Sequence, residues 1–136
     1  MGCDKKDLSL NVITFNIRNN NPNDGKNIWD ARIPIVKSYL NTEKPDIIGM
    51  QEVVHQQVLD LQDMLEEYAY VGTGRNDGKM AGEYTPIFYR KDKFKLIDHS
   101  QFWLSETSDV PGSKSWDAAI TRIVTWAHFE DKKSGE

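Results

Sequence analysis

Cysteine is almost absent: Cys3 is the only one among 136 residues. A single thiol excludes an intrachain disulfide and any cysteine-based metal centre. Long apolar runs are missing too, and none approaches the roughly 20 residues that a membrane-spanning helix needs. Positive charge is neither abundant nor clustered. Seventeen Lys and Arg stand against 21 Asp and Glu, for a formal net charge of −4. Composition therefore supports no general nucleic-acid surface, although a local phosphate site is compatible with it. Internal repeats and low-complexity blocks are absent as well. What is present is aromatic area: four Trp, five Tyr and five Phe compensate for a modest hydrophobic content and suffice for the core of one domain.

Cys3 stands at the extreme N-terminus, before the polar run Asp4-Lys5-Lys6-Asp7. Residues 1–7 are expected to form a disordered tether, with one domain over 8–136. The tether looks like the start of a mature bacterial lipoprotein. That reading gives a membrane tether through Cys3 and a place in the cell envelope or periplasm. The alternative is a free thiol on a tail, with a cytoplasmic location. Lys6 occupies the position where an N-myristoylation signal wants Ser or Thr.

Residues 8–17 read as a strand with apolar side chains on both faces. Leu8, Leu10, Val12 and Thr14 share one face with Asn16; Ile13, Phe15 and Ile17 share the other. The pattern predicts a strand covered on both sides. Residues 19–25, Asn-Asn-Asn-Pro-Asn-Asp-Gly, form a loop. Trp29, Ile33, Val36 and Leu40 fall at helical spacing and predict a helix over 29–43, with Pro34 in its early turns and Pro45 past its end. A strand over 46–51 and a helix over 55–67, with Val54, Val58, Leu61 and Leu65 on one face, follow. Strand, helix, strand, helix predicts a layered α/β fold. Strands are then expected at 68–73, 84–90, 94–98, 101–104 and 120–130, with Lys91-Asp92-Lys93 joining two of them as a hairpin. Two long polar loops, 74–83 and 105–119, interrupt the series, and loops of such length are often functional.

Two residues end buried strands in an unusual way. The run Ile47-Ile48-Gly49-Met50 closes on Gln51-Glu52, and the first strand closes on Asn16. Acidic side chains are rarely buried without a partner. If the two strands are parallel neighbours, both side chains emerge at the carboxyl edge of the sheet, where ligands of α/β folds bind. An amide and a carboxylate suit Mg²⁺, a hard cation held by one or two carboxylates plus substrate phosphate. The plainer alternative has Asn16 capping the Asn-rich loop and Glu52 opening the next helix near its positive end.

The wider pattern resembles a known family. Thr14-Phe15-Asn16-Ile17-Arg18 and Pro45-Asp46-Ile47-Ile48-Gly49-Met50-Gln51-Glu52-Val53 are similar to the first two motifs of the endonuclease/exonuclease/phosphatase superfamily. Gly74-Arg75, Gly82-Glu83 and Pro86-Ile87-Phe88-Tyr89-Arg90 resemble its third block. Phe102-Trp103-Leu104-Ser105-Glu106-Thr107, Val110-Pro111-Gly112-Ser113, Trp116-Asp117-Ala118-Ala119 and Thr121-Arg122-Ile123-Val124-Thr125-Trp126-Ala127 resemble its bacterial branch. The resemblance implies an α/β fold of the α+β sandwich type: a mixed sheet with helices on one face, one half of a four-layer fold. It implies Mg²⁺-dependent phosphoester hydrolysis of nuclease or phosphodiesterase/phosphatase type, with Mn²⁺ as an alternative ion, Glu52 as metal ligand and Asn16 beside the metal and scissile phosphate. The family's later motifs, which supply the general base, are absent from these 136 residues. The chain alone is therefore expected to have little activity, and a missing C-terminal half or a dimer partner is expected to cover its sheet.

Further candidates are Arg75, Lys79 and Glu83, as phosphate contacts or as solvated loop charges. Arg122 breaks the alternation of Ile120, Val124 and Trp126 and reads as an inward residue at the site rim. Tyr89 reads as a phosphoryl donor or as core. Trp103 and Trp116 read as substrate rim or packing, and His55, His99 and His128 as surface or packing. A reading from another class, a non-catalytic binding module that keeps half the fold, remains beside the enzyme reading. The sequence does not choose the substrate.

Overall fold

The computed structural model describes residues 9–136. The tether, Cys3 and the expected strand start at Leu8 lie outside the described residues. Two α-helices and six strands follow in order, with a 3-10 turn at Gly25–Asn27 before α1: β1 (Val12–Asn16), α1 (Trp29–Glu43), β2 (Ile47–Gln51), α2 (His55–Met64), β3 (Tyr68–Val71), β4 (Ile87–Arg90), β5 (Phe94–Trp103) and β6 (Ile123–Asp131). Four strands form a mixed sheet in the order β1-β2-β4-β3, and β5 pairs with β6 in a second sheet. β1 and β2 are parallel, with Asn16 beside Gln51 at their carboxyl ends. β4 runs antiparallel to both β2 and β3.

The layers follow from where the apolar side chains go. Trp29, Val36 and Leu40 of α1 and Val58 and Leu61 of α2 pack with Ile48, Met50 and Phe88 on one face of the mixed sheet. Val71, Tyr89 and Phe94 form a second core on the opposite face, with Ile47, Leu96, Ala127 and Phe129 around it. That is a sandwich with helices on one side and the β5–β6 ribbon on the other. α1 stops where Lys44 turns left-handed (φ 42°) and its N–H donates to the Leu40 carbonyl. Pro45 follows, which cannot continue a helix.

Several expected boundaries change, each for a local reason. β1 begins at Val12, and only one of its faces is covered: Val12 is 58% exposed because no residue of β1 joins the second core. Residues 84–90 are not one strand. Pro86 has no N–H to give a ladder, so Tyr84 makes only an isolated bridge to Val53 and pairing resumes at Ile87. Residues 94–103 form one strand rather than two, with a register shift between Leu96 and Asp98 that absorbs Ile97 as a bulge. Lys91-Asp92-Lys93 does not close a hairpin. It carries the chain from β4 in one sheet to β5 in the other. α2 ends at Met64, short of Glu67.

Asp46 pins that transfer. Its carboxylate is buried, accepts from Asn11 N–H at 2.9 Å and pairs with Lys93 Nζ at 2.5 Å. Burial alone would raise its pKa, but the bonds from Asn11 and Lys93 prevail and hold it below its ordinary value. A depressed carboxyl stabilises the fold above the unfolded pKa of about 4, and that contribution is lost as pH falls through the folded value. Asp46→Asn is therefore expected to lower stability at pH 7 and to flatten its decline toward pH 3. Urea unfolding at both pH values measures this, and an acid limb unchanged from wild type would exclude Asp46 as a source of it.

Candidate active site

The site grows from two strand ends. β1 and β2 deliver Asn16 and Glu52 to one edge, and the backbone turns sharply after each. Arg18 (φ 60°) and Glu52 (φ 59°) both adopt the left-handed conformation, which residues other than glycine rarely take. Asn16 Nδ2 donates to Glu52 Oε1 at 3.0 Å, and Asn19 N–H donates to Oε2 at 3.4 Å. Asn19 continues outward, with its Nδ2 2.9 Å from Glu83 Oε1. Glu83 Oε2 in turn pairs with Arg75 Nη1 at 2.6 Å, a half-buried ion pair. One connected path thus joins Asn16, Glu52, Asn19, Glu83 and Arg75.

This path sets the charge state of Glu52. The Asn16 amide has the largest influence and lowers its pKa. Partial burial acts against it, and Asn19 N–H together with the charges of Arg18 and Arg75 adds to the lowering. Glu52 is accordingly ionised throughout the neutral range. Asn16→Ala is expected to raise the Glu52 pKa toward the ordinary value of about 4.3. The carboxylate form would then be lost at higher pH than in wild type. NMR titration of the Glu52 carboxyl carbon checks this; identical titration in both proteins would show that Asn16 does not set it.

The loop over 74–83 is built to hold Arg75 and Glu83 in place. Gly74 N–H donates to Lys79 O, and Asp77 Oδ1 accepts from Lys79 and Ala81 N–H. A side chain at Gly74 would place its Cβ 2.3 Å from the Ala81 carbonyl oxygen, so the loop closes this tightly only with glycine there. Trp103 is buried, and its indole N–H donates to the Arg75 carbonyl at 2.6 Å. Tyr84 O–H donates to Lys79 O at 3.0 Å and lies 2.9 Å from His55 Nδ1.

Not every candidate joins the path. Tyr89 stands opposite Ile47, at the far end of β2 from Glu52, with its ring 4.7 Å from Phe129 in the second core. Arg122 is exposed, and its side chain makes no hydrogen bond or ion pair among the described residues. Lys79 contributes its carbonyl, and Trp116 is 68% exposed. Asn19 and Arg18 carry no mark in the sequence that sets them apart as site residues. The only signal for Asn19 was an Asn-rich loop directly after β1. An open cleft of about 540 Å³ lies elsewhere, between Val71–Thr73 and His99–Gln101, and no carboxylate lines it.

Among the described residues, no three Asp, Glu, His or Cys converge as a ready-made metal cage. The donor set at Glu52 still fits a hard, hydrated divalent ion. It offers one ionised carboxylate at an open edge, oriented by the Asn16 amide N–H, and Mg²⁺ keeps its waters and needs few protein ligands.

No family model matches the chain. Solved structures do. An endonuclease/exonuclease/phosphatase from Bacteroides vulgatus is 49% identical and has a TM-score of 0.92 over 93% of this chain. The chain belongs to the endonuclease/exonuclease/phosphatase family. A second family structure, a mannosyl-6-phosphatase from Bacteroides thetaiotaomicron, is 44% identical with a TM-score of 0.89, again over 93% of this chain. This family chain spans 49% of the first structure and 48% of the second, about half the length of each, and so corresponds to half of the family fold. Among curated proteins, an uncharacterised protein of Acanthamoeba polyphaga mimivirus is 28% identical over 119 residues. That match covers 79% of this chain and 17% of the viral protein. The catalytic domain of human Nocturnin, at 18% identity and TM-score 0.70, shares the fold.

Proposed function

We propose that this chain forms the metal-holding wall of a Mg²⁺-dependent phosphoester hydrolase acting on small phosphomonoesters of the sugar-phosphate class. The observation that carries the reading is the connected path from Asn16 through Glu52 and Asn19 to Glu83 and Arg75, at the carboxyl edge of parallel strands. Glu52 holds the ion through its carboxylate. Asn16 orients that carboxylate and keeps it ionised. Arg75, fixed by Glu83, supplies positive charge to the phosphate. A bound Mg²⁺, or Mn²⁺ in its place, would neutralise charge on the phosphoryl oxygens and lower the pKa of an attacking water. The general base is assigned to the half of the fold that the longer relatives possess beyond this stretch. Two observations support a small substrate: the likeness to a mannosyl-6-phosphatase, and a net charge of −4 with no long basic run, which disfavours a polyanion.

The test is a Mn²⁺ titration of the chain, followed by phosphomonoester hydrolysis with and without EDTA. Saturable metal binding with little turnover is expected. Absence of metal binding would favour a non-catalytic module that keeps half the fold. Robust turnover by these 136 residues alone would place the general base within them.

A further inference from the structure

Arg18 lies outside the path just described, yet its turn is built with unusual care. Its N–H donates to Asn16 Oδ1 at 2.9 Å. Its carbonyl accepts from Gln57 Nε2 at 2.9 Å and from Arg32 Nη2 at 3.1 Å. Gln57 is fully buried, so the turn is tied into the core. These bonds hold Arg18 left-handed, a conformation that a residue with a side chain adopts only when its surroundings impose it. The residues around it, Asn16 and Asn19, are the two that grip the Glu52 carboxylate. The Arg18 side chain therefore leaves a turn that is fixed to the metal-ligand candidate from both sides.

The side chain is held as well. Its Nε and Nη2 fork onto the Asp24 carboxylate at 3.0 and 2.8 Å. Half of the Arg18 side chain remains exposed, against 17% for Asp24. Nη1 has no partner among the described residues. Arg32 is the instructive contrast. Its guanidinium bonds the carbonyls of Asn27, Ile17, Arg18 and Asn19 and lies 5.2 Å from the centre of the Trp29 ring. Arg32 serves the backbone; Arg18 does not.

We propose that Arg18 is a phosphate-binding residue of this site, with Asp24 fixing one edge of its guanidinium and Nη1 offered to a non-bridging oxygen of the substrate phosphate. The proposal rests on the reading of Glu52 as a metal site only in placing that phosphate beside it. An arginine held in this way is pre-organised and loses little rotamer freedom on binding. The charge of Arg18 also reaches both Glu52 and Glu83, which puts it within the field of the site. In a chain that is acidic overall, a fixed local cation is what draws an anion to one place.

Isothermal titration with inorganic phosphate, with and without Mn²⁺, tests the proposal on the wild-type chain, Arg18→Ala and Arg18→Lys. Arg18→Ala should weaken phosphate binding by about tenfold or more, in line with losing a charge-assisted hydrogen bond. Arg18→Lys should recover part of it, and Mn²⁺ affinity and the unfolding midpoint should stay near wild type. Wild-type and Arg18→Ala chains that bind phosphate equally would overturn the proposal. So would a loss that only tracks lowered thermal stability or lowered Mn²⁺ affinity, or no wild-type phosphate binding at millimolar concentration. Failure of the metal reading shows separately, as Mn²⁺ binding unaffected by Glu52→Gln, while the metal-free phosphate titration still reports on Arg18.

Discussion

Glu52→Gln is expected to weaken Mn²⁺ and Mg²⁺ binding by at least about 100-fold, since even an outer-shell partner of a metal costs 10–100-fold when removed. The substitution keeps size and shape and removes the one carboxylate at the β2 edge. It also reverses the hydrogen-bond chemistry on one side. Glu52 Oε1 and Oε2 accept from Asn16 Nδ2 and Asn19 N–H, whereas a glutamine amide nitrogen cannot accept from the second of these. A local rearrangement at Asn19 is therefore expected, transmitted to Glu83 through Asn19 Nδ2. The fold itself should persist, because Glu52 is half-buried at an open edge and none of its partners belongs to the core. Titration of both proteins with Mn²⁺, beside thermal unfolding of each, separates the two effects. Unchanged affinity in the variant would remove Glu52 as the ligand.

The largest loss of stability is expected at Trp29. Its ring is fully buried in the main core, and its indole N–H donates to Asp60 Oδ2 at 2.7 Å. Trp29→Ala should cost about 3–5 kcal/mol, the range for removing a large buried aromatic. That is a large share of the roughly 5–15 kcal/mol available to a domain, and it corresponds to a fall in Tm on the order of 10 °C. Trp29→Phe keeps most of the volume and gives up the hydrogen bond, for about 1 kcal/mol. The consequence extends to the site. The Trp29 ring is the platform for the Arg32 guanidinium, which bonds the carbonyls of Ile17, Arg18 and Asn19. A variant without the ring should loosen the turn that presents Asn19 to Glu52. Denaturant unfolding of the three proteins orders these costs, and a Trp29→Ala protein as stable as Trp29→Phe would refute the ranking.

Much of the arrangement was readable from residue order. Two strands separated by one helix, each ending on a polar residue, were compatible with parallel neighbours that bring Asn16 and Glu52 to a shared edge, and the register of β1 and β2 made that pairing definite. The bounds of α1 followed from the spacing of Trp29, Val36 and Leu40 and from Pro45. Arg75 and Glu83 stood out as charges in a long loop. Other features were hidden because local pattern does not encode them. Alternation places Tyr89 on one face of β4 but does not say what covers that face. The Lys91-Asp92-Lys93 turn looks like any hairpin until its strands choose partners in different sheets. Gln57 is a polar side chain of α2, yet it is buried with its amide on the Arg18 carbonyl, a contact that no periodicity marks.

The sequence by itself pointed to the family, to the order strand, helix, strand, helix of its first half and to the two strand ends on which the site is built. These depend on apolar periodicity and on residue types near one another in sequence. Only the tertiary structure decided which side chains share that site. Asn19 reaches Glu52 across 33 positions and Glu83 across 64, and such contacts exist only after the sheet and the loop over 74–83 have closed. The physical reason is the range of the forces: backbone propensity and patterning act within a few residues, whereas hydrogen bonds and ion pairs act between whatever groups packing brings together.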